Sequence, residues 1–145
     1  MVNGVIHMLS DPDGTPVANA AFDLSHDQLV ATAHAAGAVR VERHRDAALE
    51  TDAVLALREL TAIADELDRL AAAEGHGTVV LPLARLVMLH DALVEFSDAR
   101  HAADFVREED RGPLPLVDEL LAPMCELRTD GLHAVLGAAS RESLN

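Results

Sequence analysis

Apolar and polar positions change their period several times along the chain, and each change predicts an element. Residues 5–9 and 17–24 flank Asp11-Pro12-Asp13-Gly14. Proline presets one turn dihedral there and glycine tolerates a positive φ, so residues 1–24 are expected to form a short β-hairpin or a looped arm. Ser25 and Gln28 then have the spacing of a capping box, and Leu24 and Leu29 that of a hydrophobic staple, which predicts a helix starting at Ser25. Gly37 should weaken this helix, and the alternation of Val39-Arg40-Val41-Glu42 after it fits a short strand or an irregular connection.

From residue 46 to residue 74 the apolar positions Leu49, Ala53, Ala56, Leu60, Ile63, Leu67 and Leu70 recur in steps of four and three. That spacing lays one apolar seam along a helix. The opposite side carries Asp52, Arg58, Glu59, Asp65, Glu66, Asp68 and Arg69, with Asp65 and Arg69 set for an i,i+4 ion pair, and Gly75-His76-Gly77 should close the helix. The seam can pack on another helix of the chain or on its own copy in a dimer, and the periodicity is the same for both. Residues 79–94 are the longest apolar stretch, interrupted by Arg85, His90 and Asp91. They fall short of the roughly eighteen uninterrupted apolar residues of a spanning helix and read as a buried core helix.

Pro82 suits the first turn of a helix over residues 83–108, whose first half is apolar nearly all round and so belongs in the middle of the molecule. Gly112-Pro113-Leu114-Pro115 should break the chain. Residues 116–127 predict a further helix that Pro123 kinks or splits, because proline lacks the donor for the preceding turn. Thr129-Asp130-Gly131 can restart a last helix through Leu132, Val135, Leu136 and Ala139. With no internal repeat and no low-complexity linker, residues 1–145 read as a single domain. Its expected fold is mainly α: an antiparallel bundle of about four or five helices over 25–145, preceded by the hairpin or arm.

Composition mostly excludes. The chain has 145 residues, 25 Asp and Glu against 11 strong bases, and a formal charge of −14. Every strong base is Arg, so there is no Schiff-base lysine and no P-loop lysine. Trp and Tyr are absent, which leaves aromatic cages and base-stacking platforms little but Phe22, Phe96 and Phe105. Cys125 is the lone thiol, so no intrachain disulfide or multi-cysteine zinc site can form, and a reducing cytoplasm is the expected home. Such a charge repels nucleic acid and anionic lipid, so neither direct nucleic-acid binding nor membrane attachment is expected. Residues 1–10 carry no basic residue and a broken apolar run, unlike a signal peptide.

The eight histidines carry the strongest hint of chemistry, since three follow Asp-x-x-His: Asp23 with His26, Asp98 with His101, and Asp130 with His133. At i,i+3 on a helix the carboxylate can orient the imidazole or share a metal with it. Two such helices, with His90 nearby, can supply ligands to a divalent transition metal. His90 and His101 lie eleven residues apart on one side of their helix, roughly 16 Å at helical rise, so one ion cannot bridge them. The bland reading makes His90 a buried neutral imidazole with one hydrogen bond, and the other histidines, His34 included, surface groups. Glu-x-x-His, the signature of di-metal bundles, does not occur.

Ser97, Asp98 and His101 invite comparison with a hydrolase, but a mid-helix serine lacks a free amide pair for an oxyanion, and no Gly-x-Ser-x-Gly elbow exists. Asp91, Glu95, Asp98 and Glu109 form an acidic stripe suited to a solvated face, a hydrated cation or a basic partner. Arg40, Arg43 and Arg45 with His44 can clamp a carboxylate or phosphate, or pair with surrounding acids. Cys125 reads as a small buried hydrophobe. No catalytic constellation is complete. The expectation is therefore a non-catalytic, self-associating (homodimeric) helical module that binds a protein partner or a small apolar ligand in a regulatory or accessory role. It needs no cofactor. The alternative is a metal-binding bundle or a metal-dependent enzyme, with Asp98, His101, Asp130, His133 and His90 as ligands, and an acidic decoy of a phosphate backbone is a third idea.

Overall fold

In a computed structural model, which describes residues 4–10, 12–46, 51–73 and 77–143, the chain is mostly helical with a small antiparallel sheet. Of the two alternatives for this region, hairpin or looped arm, strands β1 (Gly4–Ser10) and β2 (Pro16–Leu24) form the hairpin, paired from Gly4 with Phe22 to Ser10 with Pro16. Gly14 takes φ 86° in the turn, a value that disfavours any side chain, and the Asp13 carboxylate accepts the Thr15 amide at 3.0 Å. The capping box also forms. The Ser25 amide donates to Gln28 Oε1 at 2.9 Å and the Gln28 amide to Ser25 Oγ at 3.2 Å, and α1 (His26–Asp46) begins there.

Helix α1 passes straight through Gly37 and through the stretch from Val39 to Glu42 that local pattern left open to a strand. Packing decides the matter: Leu29, Ala31, Ala33, Ala35, Ala36 and Val39 are all buried, and the small side chains let α1 lie against α2 (Thr51–Ala72), α3 (Leu83–Ala102) and α5 (Pro113–Ser143). The α2 seam is buried only in its second half, at Leu60, Ile63 and Leu67, whereas Ala56 is exposed and Ala53 half-buried. Arg69 pairs with Glu66 rather than Asp65. Leu49 and the expected stop at Gly75-His76 lie outside the described residues.

The apolar stretch 79–94 is not one helix. Its first part belongs to β3 (Gly77–Pro82), which pairs antiparallel with β2 from Asn19 opposite Pro82 to Leu24 opposite Gly77, giving the order β1-β2-β3. Val79 and Leu81 join Ala18, Ala20, Phe22 and Leu24 on the buried face. Pro82 ends the strand and caps α3, whose Leu86, Leu89, Ala92, Leu93 and Phe96 lie in the core. Asp91 and Glu95 on the same helix are exposed, so α3 is central but has a wet side.

Helix α3 stops at Ala102, short of the expected Glu108, and residues 103–107 lead into a single turn, α4 (Glu108–Arg111). The proline pair opens α5 instead of breaking the chain, since Pro113 and Pro115 occupy its first turn, where amides are unpaired in any helix. The chain neither splits at Pro123 nor restarts at Thr129: α5 is one helix, held across Pro123 by Leu114, Val117, Leu120, Met124 and Leu127 in the core. Gly131 lies inside it at a close approach, where a Cβ would come within 2.6 Å of Leu83 Cδ1 and 3.4 Å of Ile6 Cδ1. Cys125, expected to be buried, is exposed. Among the described residues no helix is long and apolar enough to cross a membrane.

Candidate functional site

The densest buried polar grouping joins three elements far apart in sequence. Asp110, in α4, is only 5% exposed. Its Oδ1 accepts from His34 Nε2 of α1 at 2.7 Å and its Oδ2 from Arg100 Nε of α3 at 3.2 Å. Arg100 Nη2 donates in turn to Glu42 Oε1 of α1 at 2.7 Å. Phe96 forms the platform beneath. The Arg100 guanidinium carbon lies 4.2 Å from its ring centroid, and the His34 ring meets it edge-on with centroids 5.9 Å apart.

Burial alone would raise the Asp110 carboxyl, but the hydrogen bonds and charges of His34 and Arg100 outweigh it and hold the group below the usual carboxylate range. Asp110 is therefore an anion and can only accept. His34 Nε2 must carry the hydrogen of that contact, which leaves Nδ1 as the second polar atom of the ring. Glu42 and Asp110 likewise raise Arg100 above its ordinary value against the opposing effect of burial.

This cluster floors a cleft of about 450 Å³ between α1, the end of α3, residues 103–107 and α4. Apolar walls come from Ala38, Val41, Ala99, Ala103, Phe105 and Val106, while Arg45, Arg107 and Glu109 stand at its charged edge. Phe105 is 69% exposed, and the Arg111 guanidinium, which also donates to the Val106 carbonyl at 3.2 Å, lies 5.4 Å from its ring centroid. An open apolar groove lies alongside, lined by Ala53, Ala56 and Leu57 of α2 with Ala99, and the Arg43–Glu95 ion pair of 2.8 Å is at its edge.

The candidates read from sequence fall elsewhere. Asp98 and His101 both lie on α3, but His101 Nε2 contacts Asp118 Oδ2 of α5 at 2.7 Å, and Ser97 Oγ donates to the other oxygen of Asp118 at 2.5 Å. The carboxylate thus sits between serine and imidazole, so the imidazole is not placed to take the serine proton. Asp130 and His133 are exposed on α5. Asp23, bonded to Thr78 Oγ1 at 2.6 Å, is in β2 while His26 begins α1, so that pair is not a helical one. Among the described residues no three His, Cys, Asp or Glu side chains gather where they could hold a metal ion.

His90 is buried and packs against α5. Arg128 Nη1 approaches its Nδ1 at 3.2 Å while also binding Asp91 at 2.7 Å. Arginine has no acceptor, so His90 Nδ1 must accept and the ring is neutral. Burial first, then the Arg128 charge, push its pKa below the ordinary histidine value, opposed by Asp91 and a backbone hydrogen bond at Leu121. Of the acidic stripe, Asp91 and Glu95 are each paired with an arginine, and Glu109 is at the cleft.

His34 and Asp110 are the residues that spacing did not reveal. One stands in an alanine-rich helix and the other in an acidic run, 76 positions apart. The one usable signal was the basic cluster at 40–45, whose Arg45 reaches the cleft. Comparison of the chain with protein-family models, with curated proteins and with solved structures finds no match.

Proposed function

We propose that the protein is a non-catalytic small-ligand-binding module with a regulatory or accessory role, and that its ligand occupies the cleft above Asp110. The observation that carries this reading is the pairing of a preformed cavity with an ionic floor whose central carboxylate is hydrogen-bonded at both oxygens. About 450 Å³ falls within the roughly 300–1,000 Å³ of small-molecule sites. A buried ionic network adds little net stability, because desolvation offsets attraction. What it does provide is fixed geometry: His34 and Arg100 cannot swing away from the floor without leaving Asp110 unpaired. Among the described residues the cleft lining contains no serine, threonine or cysteine, which supports binding over nucleophilic catalysis.

In the same reading the four long helices act as an antiparallel bundle in a cytoplasmic protein. The half-open seam of α2, with Val54 and Leu55 exposed beside Ala53 and Ala56, suits pairing with a second copy. The test of the ligand site is a fragment screen by amide NMR with neutral, acidic and basic fragments. Shifts are expected to concentrate in residues 34–45 and 99–110, and to vanish in Ala103→Trp, which fills the cleft from its open side. If no fragment of any charge perturbs that region at millimolar concentration, the reading is wrong.

A further inference from the structure

The charges around the cleft narrow the ligand to a chemical class, an inference that rests on the binding role just proposed. Acids outnumber arginines by more than two to one in this chain, and five arginines have an acidic partner: Arg43 in Glu95, Arg69 in Glu66, Arg85 in Glu59, Arg100 in Glu42 and Asp110, and Arg128 in Asp91. Arg45 and Arg107, which both line the cleft, have no acidic partner among the described residues. They approach it from different elements, Arg45 from the last turn of α1 and Arg107 from the residue before α4. Two guanidiniums left unpaired at one cavity are suited to a bidentate anion.

The rest of the lining limits that anion. Arg45, Arg100 and Arg107 face Glu42, Glu109 and Asp110, three side chains of each sign, on a protein of formal charge −14. One added negative charge can be matched by these two guanidiniums, whereas a phosphate dianion brings a second negative charge into a cleft already lined by Glu42, Glu109 and Asp110. Phe105 and Val41 are large apolar side chains left exposed at the cleft, 69% and 40% accessible, and Ala38, Ala99, Ala103 and Val106 continue the apolar wall. A ligand that used the arginines alone would leave this surface wet.

We infer that the cleft binds a small organic monocarboxylate, with the carboxylate on Arg45 and Arg107 and an aryl or short alkyl body against Phe105 and Val41. The experiment titrates the full chain with 3-phenylpropanoate, 3-phenylpropanol, 3-phenylpropylamine and inorganic phosphate, followed by amide NMR and by calorimetry. The acid should bind at least tenfold more tightly than the alcohol, and the amine and phosphate should give no saturable binding in the cleft. Arg45→Gln and Arg107→Gln, both at exposed positions, should each weaken the acid about fivefold or more and leave the alcohol unchanged. Phe105→Ala should weaken acid and alcohol alike. Equal affinity for acid and alcohol, or phosphate binding as tight as the acid, overturns the inference while leaving the cleft a ligand site. Loss of all four probes together with a silent fragment screen removes the binding role itself.

Discussion

Among the described residues, His34 and His90 are the two imidazoles that reach toward the interior, and each has an arginine and an aspartate as neighbours. The order of contact differs. At His34 the carboxylate of Asp110 touches the ring and Arg100 stands behind it, whereas at His90 the guanidinium of Arg128 touches the ring and Asp91 stands behind. An anion against the ring requires a hydrogen on the contacting nitrogen, and a cation there forbids one. His34 is consequently tied into an ionic floor beside a cavity, while His90 is a neutral group sealed between α3 and α5. The same three residue types yield a site in one place and a packing detail in the other.

The largest test of this contrast is Phe96→Ala. The ring is fully buried beneath both Arg100 and His34, so its loss should cost about 3–5 kcal/mol by chemical denaturation and disorder the His34 side. His90 should titrate as before in the same variant. A change confined to His90 would show that the two regions are not separate. Next comes the pair Asp110→Ala and Asp91→Ala. The first leaves His34 without its carboxylate and Arg100 with Glu42 alone and should cost about 2–3 kcal/mol, and the second breaks an exposed pair and should cost less than about 1 kcal/mol. Comparable losses would erase the distinction drawn here.

Acid should act on the two regions in different windows. His90 has a folded pKa below its unfolded value, so the unfolded chain takes up the proton first. Its contribution is complete above the ordinary histidine pKa of about 6.5 and falls as pH drops from there toward the depressed folded value. Asp110 is also depressed, so its contribution is present above the ordinary aspartate pKa of about 3.9 and is lost only as pH falls through the lower folded value. Denaturation series from pH 8 to pH 3 should show both limbs, and His90→Leu should flatten the upper one alone. An unchanged upper limb would mean that His90 is not its source. The smallest effect expected is Gly37→Ala. A Cβ there meets nothing within 4 Å, so the change should stabilise α1 by about 0.5–1 kcal/mol. The His34 resonances should not move.

What could be read along the chain was what local contacts decide. The Asp13-Gly14 turn, the Ser25–Gln28 box and the apolar half of α2 at Leu60, Ile63 and Leu67 all depend on neighbours within one or two turns. Strand β3 was hidden because Val79 and Leu81 run without a break into the apolar face of α3, and only pairing with β2 makes them a strand. Gly37 and Pro123 suggested breaks that long-range packing overrides. The cleft was illegible for the same reason. His34, Arg100 and Asp110 are carried by three elements, and no spacing rule joins them, whereas the Asp-x-x-His pairs that do obey a rule, Asp98 with His101 and Asp130 with His133, point their chemistry at other partners or at solvent.

Strand β2 lies between β1 and β3, yet its second neighbour is synthesised only after two long helices have followed it. A nascent chain that has not yet emerged as far as Gly77 therefore holds a hairpin with an open ladder edge and the alternating apolar face of Ala18, Ala20, Phe22 and Leu24. Closing that edge waits on the collapse of α1 against α2, which makes assembly slow for so helical a molecule and leaves the growing polypeptide prone to strand-to-strand aggregation until β3 arrives.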